Sequence, residues 1–219
     1  MKTSTRLILG DCIQAFKEMA DDSVDLVFGS PPYEDARLYD GERQLTGQSW
    51  VDWMFARVAE SVRVCRGLTA FVIEGRTSDF RYSASPLLLM ADLHRAGYQL
   101  RKPPIYKRVG IPGSGGPDWL RNDYEFVLCV AKGKLPWSDN LAMGKPPVYP
   151  AGGPPSHRKA DGTRVDKKEF KPPKIAKPGN VIDLKVGGGH MGSKLAHENE
   201  APFPESLAEF FVKSFCPPD

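Results

Sequence analysis

Over its first 131 residues the chain alternates short β-branched apolar runs with stretches of helical periodicity, which leaves few folds open. Thr5 to Gly10 (TRLILG) predicts a strand ending at Asp11. Asp11 can cap the next helix, with Gln14 as the reciprocal member of a capping box and Ile13, Phe16 and Met19 at helical spacing behind it. Val24 to Gly29 (VDLVFG) predicts a second, buried strand, stopped by Ser30-Pro31-Pro32-Tyr33. Residues 34 to 48 read as a polar loop, and Ser49 opens a helix whose apolar face is Trp50, Trp53, Met54, Val58 and Val62. Leu68 to Glu74 is a third strand, and Ser85-Pro86 caps a helix that Gly97 stops. Tyr98 to Lys107 and Tyr124 to Lys132 are two strands with no helix between them, so they should pair antiparallel. Val181 to Leu184 adds a brief strand, and Pro204 opens a helix carrying Leu207, Phe210, Phe211 and Phe215. Such an order predicts an α/β fold with a mainly parallel, doubly wound sheet and a late antiparallel pair.

Glycine, proline and charge are unevenly spread. Residues 133 to 192 hold ten of the 21 glycines and nine of the 20 prolines. Nine lysines and two arginines stand against four carboxylates between Lys132 and Lys177, a local charge of +7 in a chain whose net charge is +3. The chain therefore divides into an α/β part over 1–132, a basic, turn-rich insertion over 133–180, and a return to the first part over 181–219. Two readings of the insertion stay open: a solvated loop, or an arm that neutralises phosphates. The longest strictly apolar run, Phe126 to Ala131, is far below the ~20 residues of a membrane helix. No CxxC pair exists and three of the four cysteines lie in apolar surroundings, so reduced thiols in a metal-free, cytoplasmic protein are expected.

Chemistry concentrates at Gly29-Ser30-Pro31-Pro32-Tyr33, because ligands of open parallel sheets bind outside the carboxyl ends of strands. Consecutive prolines fix φ twice and remove two N–H donors, so the neighbouring carbonyls are expected to face outward without a local donor. With the Ser30 hydroxyl and the flat Tyr33 ring, these acceptors suit a planar heterocycle bearing an exocyclic amine. Holding such an amine by its N–H groups draws its lone pair away from the ring and aims it at an electrophile, which a methyl transfer needs. A base inside a duplex must be flipped out to reach the plate.

GSPPY at 29–33 resembles the catalytic tetrapeptide of amino-group DNA methyltransferases, which methylate N4 of cytosine or N6 of adenine with S-adenosylmethionine. The order of segments is similar to that of the circularly permuted β group: LILGDC, the tetrapeptide, RNDYEFVLCVAKG (121–133), a variable region, then HENEAPFPESLAEFFVKSF (197–215). The resemblance implies a Rossmann-like class I methyltransferase fold. It implies that Ser30, Pro31 and Pro32 hold the target amine and Tyr33 stacks on the flipped base. It places Asp11, Cys12, Ser30, His197, Phe203 and Pro204 at the cofactor. It identifies 133–180 with the target-recognition region, making Lys145, Arg158, Lys159, Arg164, Lys167 and Lys168 candidates for double-stranded DNA contact. Asn122 and Glu125 match the strand near the base pocket. Serine at position 30 favours cytosine N4 over adenine N6, and RNA is a possible substrate in place of DNA.

In that family a glycine-rich loop, of the type Asp-Pro-Phe-x-Gly-x-Gly, follows the final helix. This sequence reaches Cys216-Pro-Pro-Asp219 without it, and neither GSGG at 113–116 nor GGG at 187–189 follows a strand and opens a helix. The expectations are therefore a truncated fold, weak cofactor binding by residues 1–219 alone, and a homodimer or a second polypeptide supplying the loop. The competing expectation is a catalytically incomplete module that binds DNA or a partner.

Overall fold

The computed structural model describes residues 4–35, 45–110, 115–147, 156–166, 173–187, 189–194, 198 and 202–218. A six-residue helix α1 (Cys12–Lys17) precedes strand β1 (Val24–Gly29), helix α2 (Gln48–Val64) and strand β2 (Cys65–Ile73). A small hairpin, β3 (Thr77–Ser78) and β4 (Arg81–Tyr82), leads to α3 (Ser85–Arg95), then to β5 (Ile105–Val109) and β6 (Tyr124–Val130). A second hairpin, β7 (Ser156–Arg158) and β8 (Arg164–Asp166), lies in the basic insertion, followed by β9 (Val181–Lys185) and α4 (Glu205–Phe215).

The main sheet has the order β1-β2-β6-β5-β9. β1 runs parallel to β2 and β5 parallel to β9, while β6 is antiparallel to both its neighbours. Four strands thus share one direction and β6 alone is reversed. Side chains alternate between the two faces of a strand, and the core divides accordingly. Ile73, Leu128 and Val130 face α2 and α3 together with Trp50, Met54, Val58, Leu89 and Leu93. Leu68, Ala70, Val72, Val127 and Cys129 face α4 through Leu207 and Phe211. The sheet is wound on both faces, and the predicted antiparallel pair is β5 with β6. All four cysteines are free; Cys65 and Cys129 are buried, and burial pushes the Cys129 thiol up to about 12. No helix among the described residues is long and apolar enough to cross a membrane.

Three expectations are corrected. Thr5 to Gly10 is not a strand: Leu7 is 92% exposed, Leu9 is equally open, and no described strand pairs with this segment. Apolar β-branched character alone cannot make a strand where no neighbour accepts its backbone. The strand expected from Tyr98 begins only at Ile105. Ser85 does not cap α3: left-handed Ala84 takes that position, and the Ser85 hydroxyl donates to Glu34 instead. Pro86 in the first turn lacks the N–H a cap would serve there.

Candidate active site

β1 and β2 end side by side, so Ser30 to Tyr33 and Glu74 emerge on the same edge of the sheet. The start of the reversed strand β6 brings Glu125 to that edge as well. A chain of hydroxyls joins them. Ser30 Oγ donates to Tyr33 Oη at a long 3.3 Å, and Tyr33 Oη donates to Glu125 Oε2 at 2.7 Å. Burial pushes the Tyr33 hydroxyl well above its ordinary value, and the Glu125 carboxylate adds to this. The half-buried Tyr33 ring is therefore tied down as a neutral phenol, while Ser30 is exposed with its lone pairs turned to no described donor. Glu125 in turn faces the Arg108 guanidinium at 3.5 Å. The backbone carbonyl of Asn122 accepts from Arg108 at 2.8 Å, so Asn122 supports this group through its backbone.

One sequence expectation fails at the prolines. The Pro32 carbonyl is not free: Trp50 Nε1 of α2 donates to it at 2.9 Å. The indole N–H belongs to a buried ring and needs an acceptor, and this carbonyl is the one α2 brings near. The Pro31 carbonyl has no donor among the described residues, so it and Ser30 Oγ are acceptors open to an amine.

Two carboxylates that the sequence reading passed over shape the site. Glu34 follows Tyr33 directly and is 6% exposed. It accepts from the Gly47 N–H at 2.5 Å and from the buried Ser85 hydroxyl. Burial works to raise Glu34, but hydrogen bonds from Ser83, Ser85 and Gly47 and the nearby Arg76 outweigh it and hold the carboxyl below its ordinary value. Next to it, Asp35 pairs with Arg76. The tetrapeptide is thus clamped to α2 by Trp50, to the start of α3 by Glu34, and to the β3–β4 hairpin by Arg76. Glu74 accepts from Tyr82 at 2.9 Å and from its neighbour's N–H at 2.8 Å, while its Oε2 is buried without a hydrogen-bond partner among the described residues. Burial raises its affinity for a proton, and Glu125 nearby adds to that. A carboxylate abutting a Pro-Pro-Tyr string, and another ending an apolar strand, are the sequence signals that could have singled these out.

The expected cofactor residues sit on separate elements, Asp11 and Cys12 at the start of α1 and Phe203 and Pro204 just before α4. Asp11 caps α1 by accepting from Ile13 N at 2.7 Å and pairs with Arg57 at 2.6 Å. Arg57 itself lies 3.6 Å above the Trp53 ring. Cys12 is exposed on α1. Phe203 sits edge-on to Phe28 at 5.3 Å, and Pro204 is the buried N-cap of α4; both lie near the end of β1 that carries Ser30. This end, with an apolar ring pair, an exposed hydroxyl and a carboxylate beyond, fits a ligand that mixes apolar and hydroxylated parts, as S-adenosylmethionine does. Of the basic candidates, Lys145, Arg158, Lys159 and Arg164 are exposed, the last three on or beside the β7–β8 hairpin. His197, Lys167 and Lys168 lie outside the described residues.

An open α/β sheet with one reversed strand, with its chemistry at the carboxyl ends of the parallel strands, is the class I methyltransferase architecture. The solved PvuII DNA methyltransferase (cytosine-N4-specific) shares it with a TM-score of 0.64 at 16% identity, over 96% of this chain and 70% of that one. The chain belongs to the N6/N4 DNA methylase family, whose profile matches residues 24–219. It is 26% identical over 211 residues to the orphan methyltransferase M.BamHII of Bacillus amyloliquefaciens, covering 91% of this chain and 74% of that protein. It is also 30% identical over 77 residues to the DNA adenine methyltransferase YhdJ of Escherichia coli K12, covering 35% of this chain and 26% of that one.

Proposed function

We propose that this protein methylates the exocyclic amine of a base flipped out of double-stranded DNA, N4 of cytosine before N6 of adenine. The observation that carries this reading is the Ser30–Tyr33–Glu125 hydroxyl chain ending beside the open Pro31 carbonyl at the mouth of the sheet. S-adenosylmethionine, when bound, supplies an electrophilic methyl on a sulfonium. Ser30 Oγ and the Pro31 carbonyl accept the two N–H groups of the amine and turn its lone pair outward. An amine nitrogen that accepted this methyl would become cationic and would have to lose a proton. The proton leaves through Ser30 and Tyr33 toward Glu125, whose charge Arg108 balances. Asp11, Cys12, Phe203 and Pro204, with Ser30, remain the residues assigned to the cofactor side. The exposed basic residues of the insertion (Lys145, Arg158, Lys159 and Arg164) are assigned to backbone phosphates, which position a duplex without reading its sequence.

Serine at position 30 and the cytosine-N4 specificity named for the PvuII enzyme support the cytosine assignment. A second reading is favoured by one observation: no described strand pairs with the outer edge of β1. In it, the protein binds DNA without turning over. Incubating the full-length protein with tritiated S-adenosylmethionine and unmethylated plasmid DNA separates the two. Label in the DNA that Ser30→Ala reduces by about 100-fold or more, the scale of losing a preorganised contact, supports the enzyme. Binding without label supports the module.

A further inference from the structure

The rim of this site carries apolar side chains that the fold does not need. Asp79 and Phe80 form the two-residue tip of the β3–β4 hairpin, both with positive φ, 50° and 61°. Such a turn is best made by Asp-Gly, because a bulky side chain is strained in the left-handed region. Phe80 nonetheless occupies the glycine position and is 67% exposed. Its ring meets Trp119 of the β5–β6 connection edge-on, with centroids 5.6 Å apart. Trp119 rests directly on Gly116, where a Cβ would come within 2.3 Å of the indole, and it stays 37% exposed beside Leu120, which is 92% exposed. Burial in the core therefore does not explain Phe80, Trp119 or Leu120, and the strain at Phe80 is retained against the turn's preference.

The placement of this lip is fixed by the site itself. The hairpin follows the end of β2 and is tied to it by Tyr82, which donates to Glu74, and to the tetrapeptide loop by the Arg76–Asp35 pair. The Trp119 connection joins the end of β5 to the start of β6, the strand that carries Glu125. Arg81 and Arg121 flank the aromatic pair, both exposed, and neither makes an ion pair among the described residues. Apolar surface bordered by free cations, at the entrance to a base pocket, is complementary to a nucleic acid whose base has left the stack.

We infer that the Phe80–Trp119 lip is a DNA-facing wedge that fills the gap left in the duplex by the extruded base. The inference rests on the base-flipping reading above. Arg81 and Arg121 neutralise the phosphates beside the gap, and Leu120 packs against the neighbouring base. The occupant is thus double-stranded DNA, opened at one base pair.

Fluorescence anisotropy with two short synthetic duplexes, one intact and one with a single abasic site, tests this without knowledge of the target sequence. The wild-type protein is expected to prefer the abasic duplex, where the gap is already made. Phe80→Gly is expected to lose that preference, with binding to the abasic duplex weakened about tenfold, the scale of one lost aromatic stack. Its melting temperature should match or exceed that of the wild type, since glycine suits the turn. Trp119→Ala should lose the preference too. An unchanged preference in both variants overturns the wedge, as does an unfolded Phe80→Gly or tighter binding of single-stranded RNA of the same sequence. Methyl transfer to plasmid DNA, measured on the same wild-type preparation, keeps the two claims apart: transfer with an unaltered preference defeats only the wedge, and no transfer defeats the reading beneath it.

Discussion

Two buried carboxylates do opposite work around the tetrapeptide. Glu34 is stabilised as an anion by the hydrogen bonds that hold the loop, so its contribution to stability is present above its ordinary value of 4.5 and is lost as pH falls through its lower folded value. Glu34→Ala leaves the Gly47 N–H without its acceptor and the fully buried Ser85 hydroxyl with Ser83 Oγ alone, and should cost about 1–3 kcal/mol in denaturant unfolding. Glu74 is the reverse case. Its folded value is raised by burial, so ionisation works against the fold, and stability falls as pH rises from 4.5 through the folded value. Glu74→Gln should therefore raise the melting temperature near pH 7 relative to the wild type, with the difference closing below about pH 4.5, as linkage requires. Melting curves across this range check the sign. Equal melting temperatures at neutral pH would show that Oε2 finds a partner in solution.

At the scale of elements, α4 closes one face of the sheet, and Phe211 is its fully buried anchor, stacked on Phe28 of β1 at 4.8 Å. Phe211→Ala should destabilise by about 3–5 kcal/mol, and calorimetric melting measures it. Because Phe28 lies two residues before Ser30, the same substitution should lower methyl transfer below what the unfolded fraction accounts for. Elements with strong local patterns were legible in the sequence. Val24 to Gly29 is a strand with those bounds, and the Trp50, Met54, Val58 stripe does face the core. What the sequence could not show is pairing. TRLILG has strand composition, but no described strand lies beside it. Ser156 to Asp166 reads as basic and turn-rich, yet it forms a hairpin whose turn is closed by Asp161 accepting from Thr163 at 2.9 Å.

For the whole molecule, the antiparallel β6 is the piece that completes the site, because a reversed strand delivers its first residues to the edge where parallel strands deliver their last. Tyr33 and Glu125, 92 residues apart, meet for that reason. The tetrapeptide was visible as a rigid, acceptor-rich turn, and Glu125 as part of a motif. The clamps were not: Trp50 on Pro32 and Ser85 on Glu34 are contacts between separate elements, and the local sequence suggested other uses for these side chains, a helix face and a helix cap. The open acceptors at Ser30 and Pro31 are assigned to holding a base amine for methylation. Mass spectrometry of nucleosides from plasmid DNA, incubated with the full-length protein and S-adenosylmethionine, tests it most directly. N4-methylcytosine is expected, absent with Ser30→Ala. N6-methyladenine would contradict the base assignment alone, and unmodified nucleosides from DNA that the protein binds would contradict the claim itself.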